Sequence, residues 1–257
     1  MAPRGVMSLG AHLIELRKRT TRIAVAILVG AVAGWFLVDP IWVALRYPVT
    51  QFADDGARTA AINFGNVTTA FDLKMQIAII AGIVISSPVW LYQAFAFFLP
   101  ALTKVEKRYV VGFIGSAVPL FLGGCLAGWL LIPHVVGLML NFASSSDTTL
   151  LGAKEYLDFA LKLVLATGIA FVLPVFLVLL NFAGVISARA ILRGWRVAVL
   201  LIALFTAIAT PAADVVSMFA LAVPMIALYF AAVGIAALHD RRAARRLADL
   251  EEMVTTP

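Results

Sequence analysis

Two glutamates stand where carboxylates are scarce. Glu15 lies in the run HLIELRKR (12–19) and Glu106 in PALTKVEKR (100–108), both rich in Lys and Arg. On a helix His12, Glu15, Arg19 and Arg22 would share one face, through their three- and four-residue spacing. Two chemistries fit these residues. In one, each acid pairs locally, Glu15 with Arg19 and Glu106 with Lys107 or Arg108; exposed pairs of that kind contribute about 0.2–0.5 kcal/mol. In the other, two carboxylates receive a cationic ligand. A carboxylate takes a guanidinium through two parallel N–H bonds, a geometry lysine cannot match, so two carboxylates could read two adjacent arginines. Spacing alone leaves both open.

Other chemistries find little to work with. There is no HExxH, no GxGxxG, no P-loop, and no Cys or His cluster at metal-ligand spacing. His12, His134 and His239 fall far apart at the edges of apolar stretches, where interfacial anchoring is the expectation. An intramembrane hydrolase needs a nucleophile with a base, and Ser86, Ser87 and Ser217 have no histidine at a comparable depth. A small-solute transporter, the alternative weighed here, needs a polar site at mid-membrane between repeats. The sequence shows no repeat, and only Asp214 and Lys162 carry charge in or near the apolar stretches. The expectation is a protein with no catalytic residue, no metal and no cofactor.

What must position the two acids is a membrane bundle. Hydrophobic residues make up 63% of the 257 and charged ones 13%, against roughly 45–50% and about 25% in soluble domains. Mean hydropathy is +1.01. Charge-free stretches at 23–38, 75–103, 109–146, 163–188, 197–213 and 215–239 mark the spans, since about 20 apolar residues cross roughly 30 Å of hydrocarbon. The reading is all-α: six helices near 20–40, 75–98, 109–133, 155–183, 194–211 and 214–238, in a bundle curved by prolines at 88, 119, 133, 174, 211 and 224. Residues 1–238 form one membrane domain, and 239–257 a charged tail that frays from helix into disorder.

Fifteen of the 20 Lys and Arg fall in the N-terminal arm, the second and fourth loops and the tail. The positive-inside rule then puts both termini in the cytoplasm. The net charge of +6 describes this orientation and not an affinity for nucleic acid. No cleaved secretory signal is expected at the N-terminus. The external loops, about 41–74 and 134–154, are expected to form a cap or short interfacial helices. Cys125 is the single cysteine, so no intramolecular disulfide is possible. Gly30/Gly34 and Gly124/Gly128 have the spacing that lets helices approach closely.

Four motifs in order carry a family resemblance across about 9–238. They are HLIELRKR at 12–19, SSPVWLYQAFAFFLPAL at 86–102 with Glu106-Lys107-Arg108 after it, Phe171-Val172-Leu173-Pro174, and ATPAAD at 209–214 with LAVPM at 221–225. In these the chain resembles TatC, the multi-spanning receptor of the twin-arginine protein translocase. The resemblance implies binding of twin-arginine signal peptides of folded precursors at the cytoplasmic face of a bacterial-type inner membrane. It also implies assembly with single-span TatA-like and TatB-like partners, in several copies, and transport driven by the proton-motive force. By the same resemblance Glu15 and Glu106 contact the two arginines, with Leu16, Arg17 and Phe97 beside them. His12, Arg19, Pro48 and Asp214 are supporting or partner-contact positions. The chain departs from many relatives at Val172, Met218 and Phe230, where polar residues implicated in partner docking are common; Thr167, Thr206 or Thr210 could offer hydroxyls instead.

Overall fold

The computed structural model of the chain describes residues 9–54, 60–97, 106–142, 149–210 and 215–255. Helix α1 (Leu9–Trp35) is followed by α2 (Val38–Asp54), strand β1 (Ala60–Asn63), α3 (Val67–Ile85) and α4 (Ser87–Phe97). Then come α5 (Glu106–Phe142), β2 (Thr149–Gly152), α6 (Ala153–Phe182), α7 (Ala188–Arg193), α8 (Trp195–Ala209) and α9 (Val215–Thr255). Each of the six expected spans has a helix, but the lengths differ from expectation. By length and hydropathy four helices can cross a membrane unbroken, five if the bent pair α1–α2 counts as one, and α8 is shorter.

The differences have simple causes. Charge gaps mark hydrocarbon, whereas helices run on past it wherever the residues favour helix. So α3 begins at Val67, ahead of Asp72 and Lys74, and α9 continues through the Ala-, Arg- and Leu-rich tail to Thr255. The expected span 75–98 is broken at Ser86. Pro88 has no N–H to donate back into α3 and starts a new helix instead, while the amides of Val89 and Trp90 turn to the Ser86 carbonyl at 2.9 and 3.2 Å.

Past the C-terminal end of α1, α2 turns 70° from it and lays Val38, Leu45 and Val49, at helical spacing, on the core. The Tyr156 hydroxyl donates to the Leu45 carbonyl at 2.6 Å, and Lys74 pairs with Asp39 at 3.1 Å. The cap holds one element absent from the all-α reading. β1 and β2 pair in parallel, Ala60 opposite Thr149 and Asn63 opposite Gly152, so two loop segments far apart in sequence satisfy each other's backbone groups.

Glycines set the two tightest helix contacts. A Cβ at Gly30 would stand 2.5 Å from the Gly82 carbonyl oxygen, and one at Gly34 2.5 Å from that of Ala78. A Cβ at Gly124 would stand 2.6 Å from the Thr167 oxygen. Both expected glycine pairs therefore serve packing inside this chain. Around them Phe121, Ile77, Leu157 and Leu179 fill the centre, with Trp90 edge-on to Phe121 at 5.3 Å. Cys125 is buried there as a free thiol. The outward faces stay apolar: Leu28, Val29 and Val32 on α1, and Leu200, Leu204 and Ile208 on α8, are more than half exposed. A continuous apolar surface of that kind fits lipid, not water.

Candidate functional site

Glu15 sits two turns into α1, one turn before Arg19. Its Oε1 accepts from Arg19 Nη2 at 2.6 Å and from Nε at 3.0 Å. The third nitrogen, Nη1, reaches Gln93 Oε1 of α4 at 3.4 Å. Gln93 is 7% exposed, and the side chains of Arg19 and Glu15 are 19% and 25% exposed. The pair is therefore far less screened than a surface i,i+4 bridge.

Helix register places the rest. Gly30 faces Gly82 and Gly34 faces Ala78, four residues forward in α1 against four back in α3, so the helices are antiparallel. From Gly30 back to Arg19 is eleven residues, and from Gly82 on to Gln93 is eleven as well. The register thus persists through the break at Ser86. Four residues further it sets Phe97, half-buried at the end of α4, level with Glu15. Leu16 and Arg17 lie on the exposed side of α1, where the Arg17 carbonyl accepts from the Thr21 hydroxyl at 2.9 Å.

The remaining expected residues divide. Glu106 opens α5, and His12 lies in the first turn of α1, but the side chains of both are outside the described residues. Asp214 lies outside the described residues altogether. Pro48 does not belong to this cluster. It is buried in α2, beyond the far end of α1, where with Trp129, Ile132 and Pro133 it lines a cavity of about 570 Å³. Val172 is buried in the core, while Phe230 is 43% exposed beside Tyr229. The threonine hydroxyls bond within their own helices: Thr206 to Ile202 at 3.0 Å, Thr210 to Thr206 at 2.9 Å, and Thr167 to Leu163 at 2.8 Å, with the Gly124 carbonyl of α5 at 2.9 Å.

Two polar features were not singled out in the sequence. Gln93 is the first, an amide inside an apolar run, which is itself a signal because polar groups are costly there. The second is Asp240, just past the last span. It accepts from Asn181 Nδ2 at 2.9 Å and from the Ala188 amide at 2.8 Å, fastening α9 to the start of α7. His239 beside it stacks on Phe182 with ring centroids 3.8 Å apart. Asp240→Ala is expected to lower stability by roughly 1 kcal/mol, at the low end for a lost helix-capping carboxylate, because Asp240 is 39% open to solvent. A melting temperature about 2–4 °C lower in detergent would show it; an unchanged one would show the fastening to be idle.

Between α5, α6 and α9 an apolar cleft of about 920 Å³ opens, lined by Phe113, Val178, Phe182, Ile235 and Leu238, with His239 and Arg242 at its polar end. Gly112 on its wall is about 9 Å along α5 from Glu106. Among the described residues no three His, Cys, Asp or Glu side chains converge as a metal site. Asp158, near the start of α6, accepts from Gln76 at 2.5 Å and lies 3.9 Å from Lys162.

Comparison with known proteins agrees with this arrangement. Residues 11–224 match the family model of the Sec-independent protein translocase protein (TatC). The chain is 44% identical over 242 residues to a Sec-independent protein translocase protein TatC of Xylanimonas cellulosilytica, covering 94% of this chain and 88% of that one. With the TatC of Rothia mucilaginosa it shares 37% identity over 251 residues, 97% of this chain and 86% of the relative. A crystal structure of the twin-arginine translocase receptor TatC in DDM is similar at a TM-score of 0.74 and 28% identity, over 88% of this chain and 99% of that one. A matched family model, close relatives along nearly the whole length and a shared helical fold lead to one conclusion: the chain belongs to the TatC family of Sec-independent protein translocase proteins.

Proposed function

We propose that this translocase component is the receptor for twin-arginine signal peptides, with Glu15 and Glu106 each taking one arginine at the cytoplasmic face. The observation that carries this reading is that Glu15 already holds a guanidinium. Two N–H groups of Arg19 converge on one carboxylate oxygen, in a half-buried setting backed by a buried amide. A site shaped for one guanidinium suits another. The register that levels Phe97 with Glu15 supplies an aromatic neighbour, and the chain re-enters the bundle at Glu106.

On this reading both termini and the basic loops face the cytoplasm, residues 1–238 form one six-span domain, and 239–257 form a tail. TatA-like and TatB-like single-span proteins join it in a complex of several copies, and the proton-motive force drives transport. The chain itself performs no catalysis. Helix α8 supports one mechanical role. Its 15 residues span about 22 Å at 1.5 Å each, less than a hydrocarbon core of roughly 30 Å. On this reading the lipid beside it thins, one of the ways a bilayer meets a short span, and a thinner bilayer is a lower barrier to a folded cargo.

Photo-crosslinkers at positions 14 and 107, beside the two acids and leaving both carboxylates in place, test the receptor role. An Arg-Arg signal peptide is expected to crosslink from both positions, and its Lys-Lys version at a tenth of the yield or less. Equal yields from the two peptides would reject the assignment.

A further inference from the structure

We propose that Arg19 sets the affinity of this site, as an internal competitor that occupies Glu15 until a ligand arginine displaces it onto Gln93. The inference rests on the reading of Glu15 as a receptor for a peptide arginine. It adds how the empty site keeps its carboxylate paired and how strong a contact a ligand must make to open it.

The geometry begins with spacing. Arg19 follows Glu15 by one turn, so the two side chains meet on one face of α1. An ordinary pair of this kind is exposed and makes no other contact. This one is mostly buried and uses two edges of the guanidinium. Nε and Nη2 point to Glu15 Oε1, at 3.0 and 2.6 Å, while Nη1 points to Gln93 Oε1, at 3.4 Å, on another helix. A guanidinium has five N–H donors in a fixed fork, so it can release one edge and keep the other. Gln93 is neutral and buried, and its amide oxygen is an acceptor that holds the displaced cation without competing for a positive ligand.

Net affinity then follows from a difference between two contacts and not from the strength of one. Entry of a ligand exchanges the Glu15–Arg19 contact for a Glu15–ligand contact. An arriving arginine rebuilds the same pair of N–H bonds, so the exchange is close to balanced and its remaining contacts decide binding. An arriving lysine offers a compact, strongly hydrated charge with no fork. Its contact with Glu15 is the weaker one, while the cost of displacing Arg19 is the same for both ligands and cancels from their ratio.

The test uses the full chain in lipid nanodiscs and two fluorescent signal peptides, Arg-Arg and Lys-Lys, with folding of each variant checked by its melting temperature. The wild type is expected to bind Arg-Arg at least about tenfold more tightly. In Arg19→Gln the competitor is gone: Arg-Arg affinity should rise about tenfold, Lys-Lys should rise by a similar factor, and their ratio should stay within about threefold of the wild-type value. Arg19→Lys, a weaker competitor, should fall between. Gln93→Met removes the landing place and should weaken Arg-Arg about three- to tenfold, with recovery in the Arg19→Gln/Gln93→Met double variant. A structural support for Glu15 would behave otherwise. If Arg19→Gln leaves Arg-Arg affinity unchanged or weakens it, or the double variant is worse than Gln93→Met, the competitor role is overturned while the receptor role stands. If the wild type shows no preference and Glu15→Gln changes nothing, both fall together.

Discussion

Glu15→Gln with Glu106→Gln in one chain is expected to weaken binding of an Arg-Arg signal peptide by roughly 10²–10⁴-fold. A hydrogen bond to a charged partner contributes about 1.5–3 kcal/mol, so two lost acids remove about 3–6 kcal/mol, and each 1.4 kcal/mol is a factor of ten. Glutamine keeps the size and one acceptor oxygen of glutamate, so packing of α1 changes little and the lost quantity is charge. Each single variant should cost about 10–100-fold. Their effects should add if each acid holds its own arginine, because independent sites are additive. The control is the melting temperature, expected to move by no more than about 3 °C, since the one carboxylate with a described partner pairs with a residue one turn away. If both acids only serve their local basic neighbours, the double variant binds within about threefold of wild type, and the receptor assignment is lost. A titration of labelled peptide into nanodisc-held protein, at fixed salt, separates the two outcomes.

The two acids could be found without a structure because charge is expensive in such a chain. With so few charged residues, each Glu on a basic segment stands out, and HLIELRKR puts Glu15 and Arg19 on one helical face by spacing alone. The structure bears out that local pair and gives the same carboxylate a half-buried setting that spacing could not supply. Helix positions were legible from charge gaps, but helix ends were not, because Asp72 and Lys74 sit inside α3 without ending it. The break at Ser86 is signalled by Pro88, which does not merely bend a span but lies in the first turn of a new helix. The β1–β2 pair could not be read at all. Its strands are four residues each and their partners lie far apart in the chain, so no local pattern announces the match. Gln93 does not stand out within SSPVWLYQAFAFFLPAL, and only the antiparallel register of α1 on α3–α4 shows why an amide belongs there.

That register makes a second large prediction, in which one methyl group has opposite consequences at two glycines. Gly82→Ala is expected to destabilise the protein by about 3 kcal/mol, near the upper end of the overpacking range. Its Cβ would lie 2.6 Å from Ala31 Cα and 2.8 Å from the Gly30 carbonyl carbon, both backbone atoms that cannot rotate away. Helices α1 and α3 must part. Gly234→Ala makes the same change in α9 where nothing lies within 4 Å, so stability should hold or rise by up to about 1 kcal/mol from helix propensity. In detergent the melting temperatures should therefore diverge by roughly 6 °C or more; equal values would show that the glycine contact is not tight. The effect should also reach the binding site. Gln93 and Arg19 lie eleven residues along the same helix pair, about 16 Å away, and they meet only because α1 and α3 are seated at Gly30 and Gly82. Parting the helices pulls Gln93 and Phe97 out of level with Glu15. Peptide affinity per folded molecule should then fall in Gly82→Ala and stay unchanged in Gly234→Ala, which ties recognition at one end of α1 to a glycine contact near its middle.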